Sequence, residues 1–379
     1  MMASIILTKI TGFSAATFID PVQMKPTPLQ LIWFLLLALI LAVYFILDGF
    51  DLGSGALYPF IAKDEKEKAM VRRSVGPFWD GNEVWLITGG GVLLAAFAPA
   101  YATTFSGFYL AIMLVLFCLI FRAVSLEFRA HERSLPKFFD GAFFIASALP
   151  ALLFGVAVGN VIQGIPLNAL GDYTGLPLIG LLRPFPLACG LLSLSVMILQ
   201  GAAWQALKMP LGSAIRDRAL AIRKVFLIIV PVILVLSALL YFVICKPQMG
   251  TGSLAEIVSY IGVVLAVLGI IAAFVFHGGA MKFGKSDAGA TKQDIGTFLA
   301  ISIIPAGIII LTAATLFPYL VPSIGPGPSI TIASAGGSDL ALMAMLIIAC
   351  FGVPLVLVYH VILYRIFRGR IKDEDLNHY

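Results

Sequence analysis

The chain is 379 residues long, 60% hydrophobic and only 12% charged, with a mean hydropathy of +1.02. A water-soluble domain carries about 25% charged residues, so this composition excludes a soluble enzyme and defines a polytopic membrane protein. The net charge of +5 follows membrane topology, as counted below, and implies no nucleic-acid partner.

Residues 1–28 hold Lys9, Lys25, Pro21, Pro26 and Pro28 but no compact apolar region with a cleavage site. They read as an exposed, retained leader rather than a signal peptide. Nine apolar runs follow, each close to the ~20 residues that a spanning helix needs. They cover 29–50, 84–100, 105–121, 142–161, 184–203, 225–243, 257–276, 296–316 and 340–362. The expected organisation is one transmembrane domain over 29–364 and a tail over 365–379. From Leu29 to Ile61 the only charges are Asp48 and Asp51. A first helix that continues to Ile61 therefore carries both aspartates inside the membrane. The fold expected is all-α, with about nine transmembrane helices: two four-helix bundles and one peripheral helix. Segments 162–183 and 317–339 are rich in Gly, Pro and Ser and read as short ordered caps.

Of the 25 Lys and Arg residues, all but Lys9, Lys25, Arg183 and Lys246 fall in alternate loops and the tail. Basic loops stay cytoplasmic, which places the N-terminus outside and the C-terminus in the cytoplasm.

Cys118, Cys189, Cys245 and Cys350 are scattered without paired spacing and read as small packing residues. His131, His277, His360 and His378 lie in loops or near span ends, none at mid-membrane. No Cys/His spacing suits zinc, iron–sulfur or copper, so the chain is expected to hold no metal or haem by itself. Gly89, Gly90 and Gly91 lie inside a span, where small residues let helices approach closely.

Chemistry concentrates where the first two spans turn back on each other. Asp48 and Asp51 are three apart and share a helix face, so they can meet a common partner. The rival reading ends the helix at Gly49 and Gly53 with both acids solvated. Asp80 precedes the second span, with Asn82 as a rival cap and Glu83 favoured by the helix dipole. Trp79 and Trp85 flank these acids at interfacial depth. Intramembrane carboxylates are costly and mark ion or proton handling, an internal partner or capping. Arg122, Glu127 and Arg129 close the third span and read as an anchor with one intrahelical ion pair.

These residues carry a family resemblance. Asp48-Gly-Phe-Asp-Leu-Gly53, Trp79-Asp-Gly-Asn-Glu-Val-Trp85, Phe105-Ser-Gly-Phe-Tyr109 and Phe121-Arg-Ala-Val124 with Glu127-Phe-Arg129 resemble subunit II of the cytochrome bd-type quinol oxidases. So do Gly159-Asn160, Gln163-Gly-Ile-Pro166, Gln200-Gly-Ala202 and Phe317-Pro-Tyr319. The resemblance implies a subunit of a respiratory enzyme of the bacterial inner membrane, which reduces O2 to water with electrons from quinol. It implies a partner, subunit I, that carries the b- and d-type haems, while this chain holds none and has no catalytic residue of its own. It implies that Asp51 and Asp80, with Asp48 beside them, line a cytoplasmic proton route. Glu83 stands where relatives can carry Gln. Trp79, Asn82, Trp85, Arg122, Glu127 and Arg129 belong to the family motifs. Some relatives hold a structural quinone in this subunit, and small accessory subunits are left open. Two rival classes stand beside this reading: an ion-coupled transporter using Asp48 and Asp51, and a structural membrane scaffold.

Overall fold

The computed structural model describes residues 25–129, 135–245, 253–283 and 287–376. The leader expected over 1–28 falls almost wholly outside them, as do His131 and His378. Helix α1 spans Pro28–Ile61; its N-cap Thr27 and Gln30 form a capping box, and Pro28 occupies the first turn, where no amide donor is needed. It does not stop at Gly49 or Gly53, so both aspartates sit in helix interior. A short amphipathic helix, α2 (Glu65–Val75), follows, capped by Asp64.

The second span is α3 (Trp79–Ala96). The backbone breaks at Phe97 (φ −137°, ψ 53°), and a separate helix α4 runs over Ala98–Gly107 with Pro99 in its first turn. The run expected over 84–100 therefore starts earlier and ends before Pro99. The third span, α5, moves to Tyr109–Phe128. The sequence reading closed it at Phe121 because the first charge follows there, yet Arg122 is helical interior and fully buried.

The remaining spans are α6 (Pro136–Gln163), α7 (Pro184–Lys208), α8 (Ala214–Ile244), α9 (Ser253–Phe283) and α10 (Asp287–Leu316). A two-stranded antiparallel ribbon, β1 (Tyr319–Val321) and β2 (Ile330–Thr331), leads into the short α11 (Ile332–Ala335) and the last span, α12 (Asp339–Ile366). Among the described residues 8 helices are long and apolar enough to cross a membrane, against the nine expected; α3, with two acids in its first turns, is not among the 8. Helix α1 packs on α3, α6 and α7; α5 packs on α6; α8 packs on α7; α9 pairs with α10, which reaches α1 and α7. Helix α12 packs mainly on the α1–α3 edge, with Tyr364 reaching Trp204 of α7, and leaves Ile348, Phe351 and Leu355 exposed. The caps over 162–183 and 317–339 are ordered: Ile165 N donates to Pro322 O (3.0 Å), and Arg183 Nη2 to Asn160 Oδ1 (2.9 Å).

The close helix approach lies elsewhere than at Gly89–Gly91. Gly90 and Gly91 face open space. At the α1–α7 crossing, a Cβ on Gly53 would stand 1.7 Å from Met197 O, and one on Gly201 2.3 Å from the Gly53 carbonyl carbon. Backbone meets backbone there, as small residues permit in membranes. Gly201→Ala is expected to lower stability by roughly 1–3 kcal/mol, the cost of overpacking. Gly90→Ala should change it little. Thermal melting of the detergent-solubilised protein checks both.

Candidate functional site

The α1–α3 turn-back builds a buried polar cluster on an otherwise apolar helix pair. Asp48 and Asp51 are 0% and 1% exposed. Three residues apart, they share a face but not a partner. Asp48 takes a forked pair from Arg122 of α5: Nη2 donates to Oδ1 at 2.8 Å and Nη1 to Oδ2 at 3.3 Å. Such planar two-point geometry is what a guanidinium offers and an ammonium does not. Glu83 Oε1 lies 3.2 Å from the same Arg122 Nη1. Two acids thus face one base in a water-poor setting.

Asp51 takes a neutral partner. Asn82 Nδ2 donates to Asp51 Oδ2 (2.6 Å) and to the backbone oxygen of Leu47 (3.3 Å). Tyr364 of α12 donates to Asn82 Oδ1 (3.3 Å). Asp51 Oδ1 has no hydrogen-bond partner among the described residues. Tyr44, fully buried, lies one helical turn before Asp48 on the same face.

Asp80 is exposed, in the first turn of α3. It does not cap that helix, and neither does Asn82; the N-cap is Phe78, with no side-chain bond. Glu83, one turn on, is half-buried with a 19% exposed side chain, and Asp80 acts on it electrostatically. Asp80, Glu83 and the Arg122–Asp48 pair therefore grade from solvent to core.

Trp85 is not an interfacial anchor. It is buried, and its Nε1 donates to His360 Nε2 (3.4 Å), while His360 Nδ1 lies 2.8 Å from Val356 O. Both ring nitrogens of His360 are engaged. Trp79 is half-buried and packs on the aromatic group around Phe78 and Trp204. Arg129 also departs from the anchor reading. Its Nε donates to Asp140 Oδ1 (2.9 Å) and its Nη2 to Glu65 (2.5 Å), while Lys68 Nζ meets Asp140 Oδ2 at 2.8 Å. That network ties α2, α5 and α6 together. Glu127 is exposed on α5 and is not the partner of Arg122. Lys68, on the surface helix α2, has its ammonium pKa raised by the Asp140 hydrogen bond. Among the described residues no three His, Cys, Asp or Glu side chains converge as a metal site.

The sequence reading did not single out Tyr44, Tyr364 or the burial of Arg122. Tyr44 is signalled by its spacing to Asp48; Tyr364 has no local signal, because the ninth span alone brings it in. A second buried hub went unread: Asp294, 0% exposed, holds Arg216 (2.8 Å), Arg223 (3.2 Å) and Arg370 (3.1 Å).

An all-α polytopic membrane protein with carboxylates buried at one membrane face is a class with room for proton or ion handling. A sequence profile described as cytochrome bd terminal oxidase subunit II matches residues 29–367, and the chain belongs to that family. It is 33% identical over 377 residues to a protein named probable cytochrome oxidase subunit 2 of Haemophilus influenzae, covering 92% of this chain and 97% of that one. It is 33% identical over 366 residues to cytochrome bd-I ubiquinol oxidase subunit 2 of Escherichia coli K12, covering 92% and 96%. The cytochrome bd ubiquinol oxidase subunit 2 of Bacillus subtilis is 28% identical over 354 residues, covering 91% and 97%. A chain of the bd oxidase from Geobacillus thermodenitrificans superposes with a TM-score of 0.69 at 17% identity, over 90% of this chain and 99% of that one, which shows a shared fold.

Proposed function

We propose that this chain is the haem-free subunit II of a quinol:oxygen oxidoreductase, and that it supports a haem-bearing subunit I and delivers protons toward oxygen reduction. The observation that carries the proton role is the graded cluster: exposed Asp80, half-buried Glu83, and buried Asp51 with one carboxylate oxygen unbonded among the described residues. Reducing O2 to water consumes protons at a dry site, so a path of titratable groups must cross apolar protein. Asp48 is held by Arg122 as a fixed ion pair. That neutralises one acid and leaves Asp51, beside neutral Asn82, as the group free to take up and release a proton.

The oxidase reading is tested by purifying the tagged chain from its native membrane and recording a spectrum. A co-purifying partner with b- and d-type haem bands is expected, and the chain expressed alone should show no haem absorbance. A stoichiometric haem band in the isolated chain, lost on replacing His277, would defeat the haem-free assignment. A haem-free lone chain that binds an ion would favour a transporter.

The end bearing most bases is proposed to face the cytoplasm. Supporting this, the loops expected on one side meet one another: Lys66 pairs with Asp373, and Arg218 with Glu67. At the opposite end Thr27 Oγ1 donates to Asp339 (3.1 Å). A cysteine replacing Leu170, which is 87% exposed at that opposite end, should react with an impermeant thiol reagent in spheroplasts. One replacing Lys137 should stay silent, and the reverse pattern would invert the orientation. Residues 29–364 as one membrane domain, with a cytoplasmic tail after them, follow from the same reading.

A further inference from the structure

A cavity at the base-rich end lies beside the carboxylate cluster rather than within it. Its volume is ≈ 760 Å³, and it opens between the C-terminal end of α7, the start of α10 and the residues that follow α12. Its walls divide into two halves. One half is apolar: Leu207, Leu211, Ile295 and Phe298, with Trp204 behind them. The other half carries Lys208, Arg368, Arg370 and Lys372, and among the described residues no carboxylate lines the cavity.

The basic rim is built rather than loose. Arg370 Nη1 donates to the backbone oxygens of Ala206 (2.8 Å), Leu207 (3.1 Å) and Met209 (2.9 Å), closing the carbonyl end of α7. Its Nη2 reaches buried Asp294 (3.1 Å). Ile371 N donates to Lys208 O (2.8 Å), so the segment after α12 is strapped across the end of α7. Lys208 is 6% exposed; its Nζ donates to Phe367 O and lies 4.8 Å from the Trp204 ring centroid. Arg370 is thus spent on Asp294 and the helix end. Arg368 and Lys372 are exposed, and among the described residues the ion pairs of this end pass them by: Asp373 goes to Lys66, and Asp375 accepts from the Lys372 amide. Lys208 has a carbonyl but, among the described residues, no counter-anion.

An apolar trough with an uncompensated basic rim, placed where spanning helices end, has the chemistry of an anionic amphiphile. The geometry points to a bound anionic phospholipid, its phosphate on Lys208, Arg368 and Lys372 and an acyl chain along Leu207, Leu211, Ile295 and Phe298. Basic pockets between helix ends on a membrane face take anionic headgroups in this way. The family profile stops at residue 367, so the rim residues Arg368 and Lys372 fall just beyond the matched segment. The site also adjoins the carboxylate cluster, because Tyr364 lines the cavity and donates to Asn82.

The test uses the assembled oxidase with its native partner, stripped of lipid in detergent and transferred to nanodiscs of phosphatidylcholine with a minor fraction of photoactivatable phosphatidylglycerol. Crosslinks are mapped by mass spectrometry. They should fall on the α7–α10 trough, and R368E/K372E should reduce them about tenfold or more, given about 1 kcal/mol per base near a charged lipid. The equally charge-reversed pair K137E/K224E, exposed and away from the cavity, should leave them unchanged. Equal labelling by photoactivatable phosphatidylcholine, or labelling indifferent to R368E/K372E, overturns the proposal. So does displacement by glycerol 3-phosphate as efficient as by phosphatidylglycerol itself, which would make this a free-phosphate site.

Discussion

Asp51→Asn is expected to cut quinol-driven oxygen uptake by about 10²-fold, the lower range for losing one positioned proton-transfer group. The substitution keeps shape. Asp51 is 1% exposed and already accepts from Asn82 at 2.6 Å. An amide there keeps its carbonyl oxygen as acceptor, so packing against α3 should survive, while the capacity to hold and release a proton is lost. Asp48→Asn should act differently. Asp48 is the clamped partner of Arg122, and removing its charge leaves a buried guanidinium facing Glu83 alone. Its main effect should be on stability. Membranes carrying each variant, assayed with reduced quinol and an oxygen electrode, separate the two.

The largest stability effect is expected at Arg122. Arg122→Leu strands Asp48, 0% exposed, and Glu83 without their shared cation. Breaking a buried pair from one side costs roughly 3–5 kcal/mol, because the remaining charge keeps its desolvation penalty and loses its partner. That is a large part of the stability of an ordinary domain, and little assembled protein should accumulate. The companion Asp48→Leu/Arg122→Leu removes both charges and should recover much of the loss. A double-mutant cycle on thermal midpoints isolates the coupling. If the double variant is as unstable as the sum of the singles, the pair is not what holds α1 to α5.

The apolar runs were legible because hydropathy over a span is a summed property, indifferent to any single contact. Span ends were less so. A charge looks like an end in sequence, which is why α5 was closed before Arg122 and the Asp48 partner was missed. Burial reverses that reading: Arg122 is tolerated inside because Asp48 and Glu83 arrive from two other helices. Asp48 and Asp51 were correctly seen to share a face, but a shared face says nothing about which neighbour each acid meets. Trp85 illustrates the same limit, since interfacial depth suits a tryptophan as well as a contact with His360 does. The cage around Asp294 joins α8, α10 and the segment after α12, and no local pattern announces a contact between residues so far apart in the chain.

Proton delivery by Asp51 and Asp80 is tested most directly by oxygen uptake divided by haem content, both measured on the same membranes for Asp51→Asn and Asp80→Asn. The haem difference spectrum counts assembled oxidase, and uptake per haem counts what each assembled enzyme can do. The relay predicts an unchanged spectrum and a sharply lower rate per haem for both variants, although Asp80 is exposed and Asp51 is buried. Loss of haem in proportion to activity, with the rate per haem intact, would show that these acids only hold the complex together.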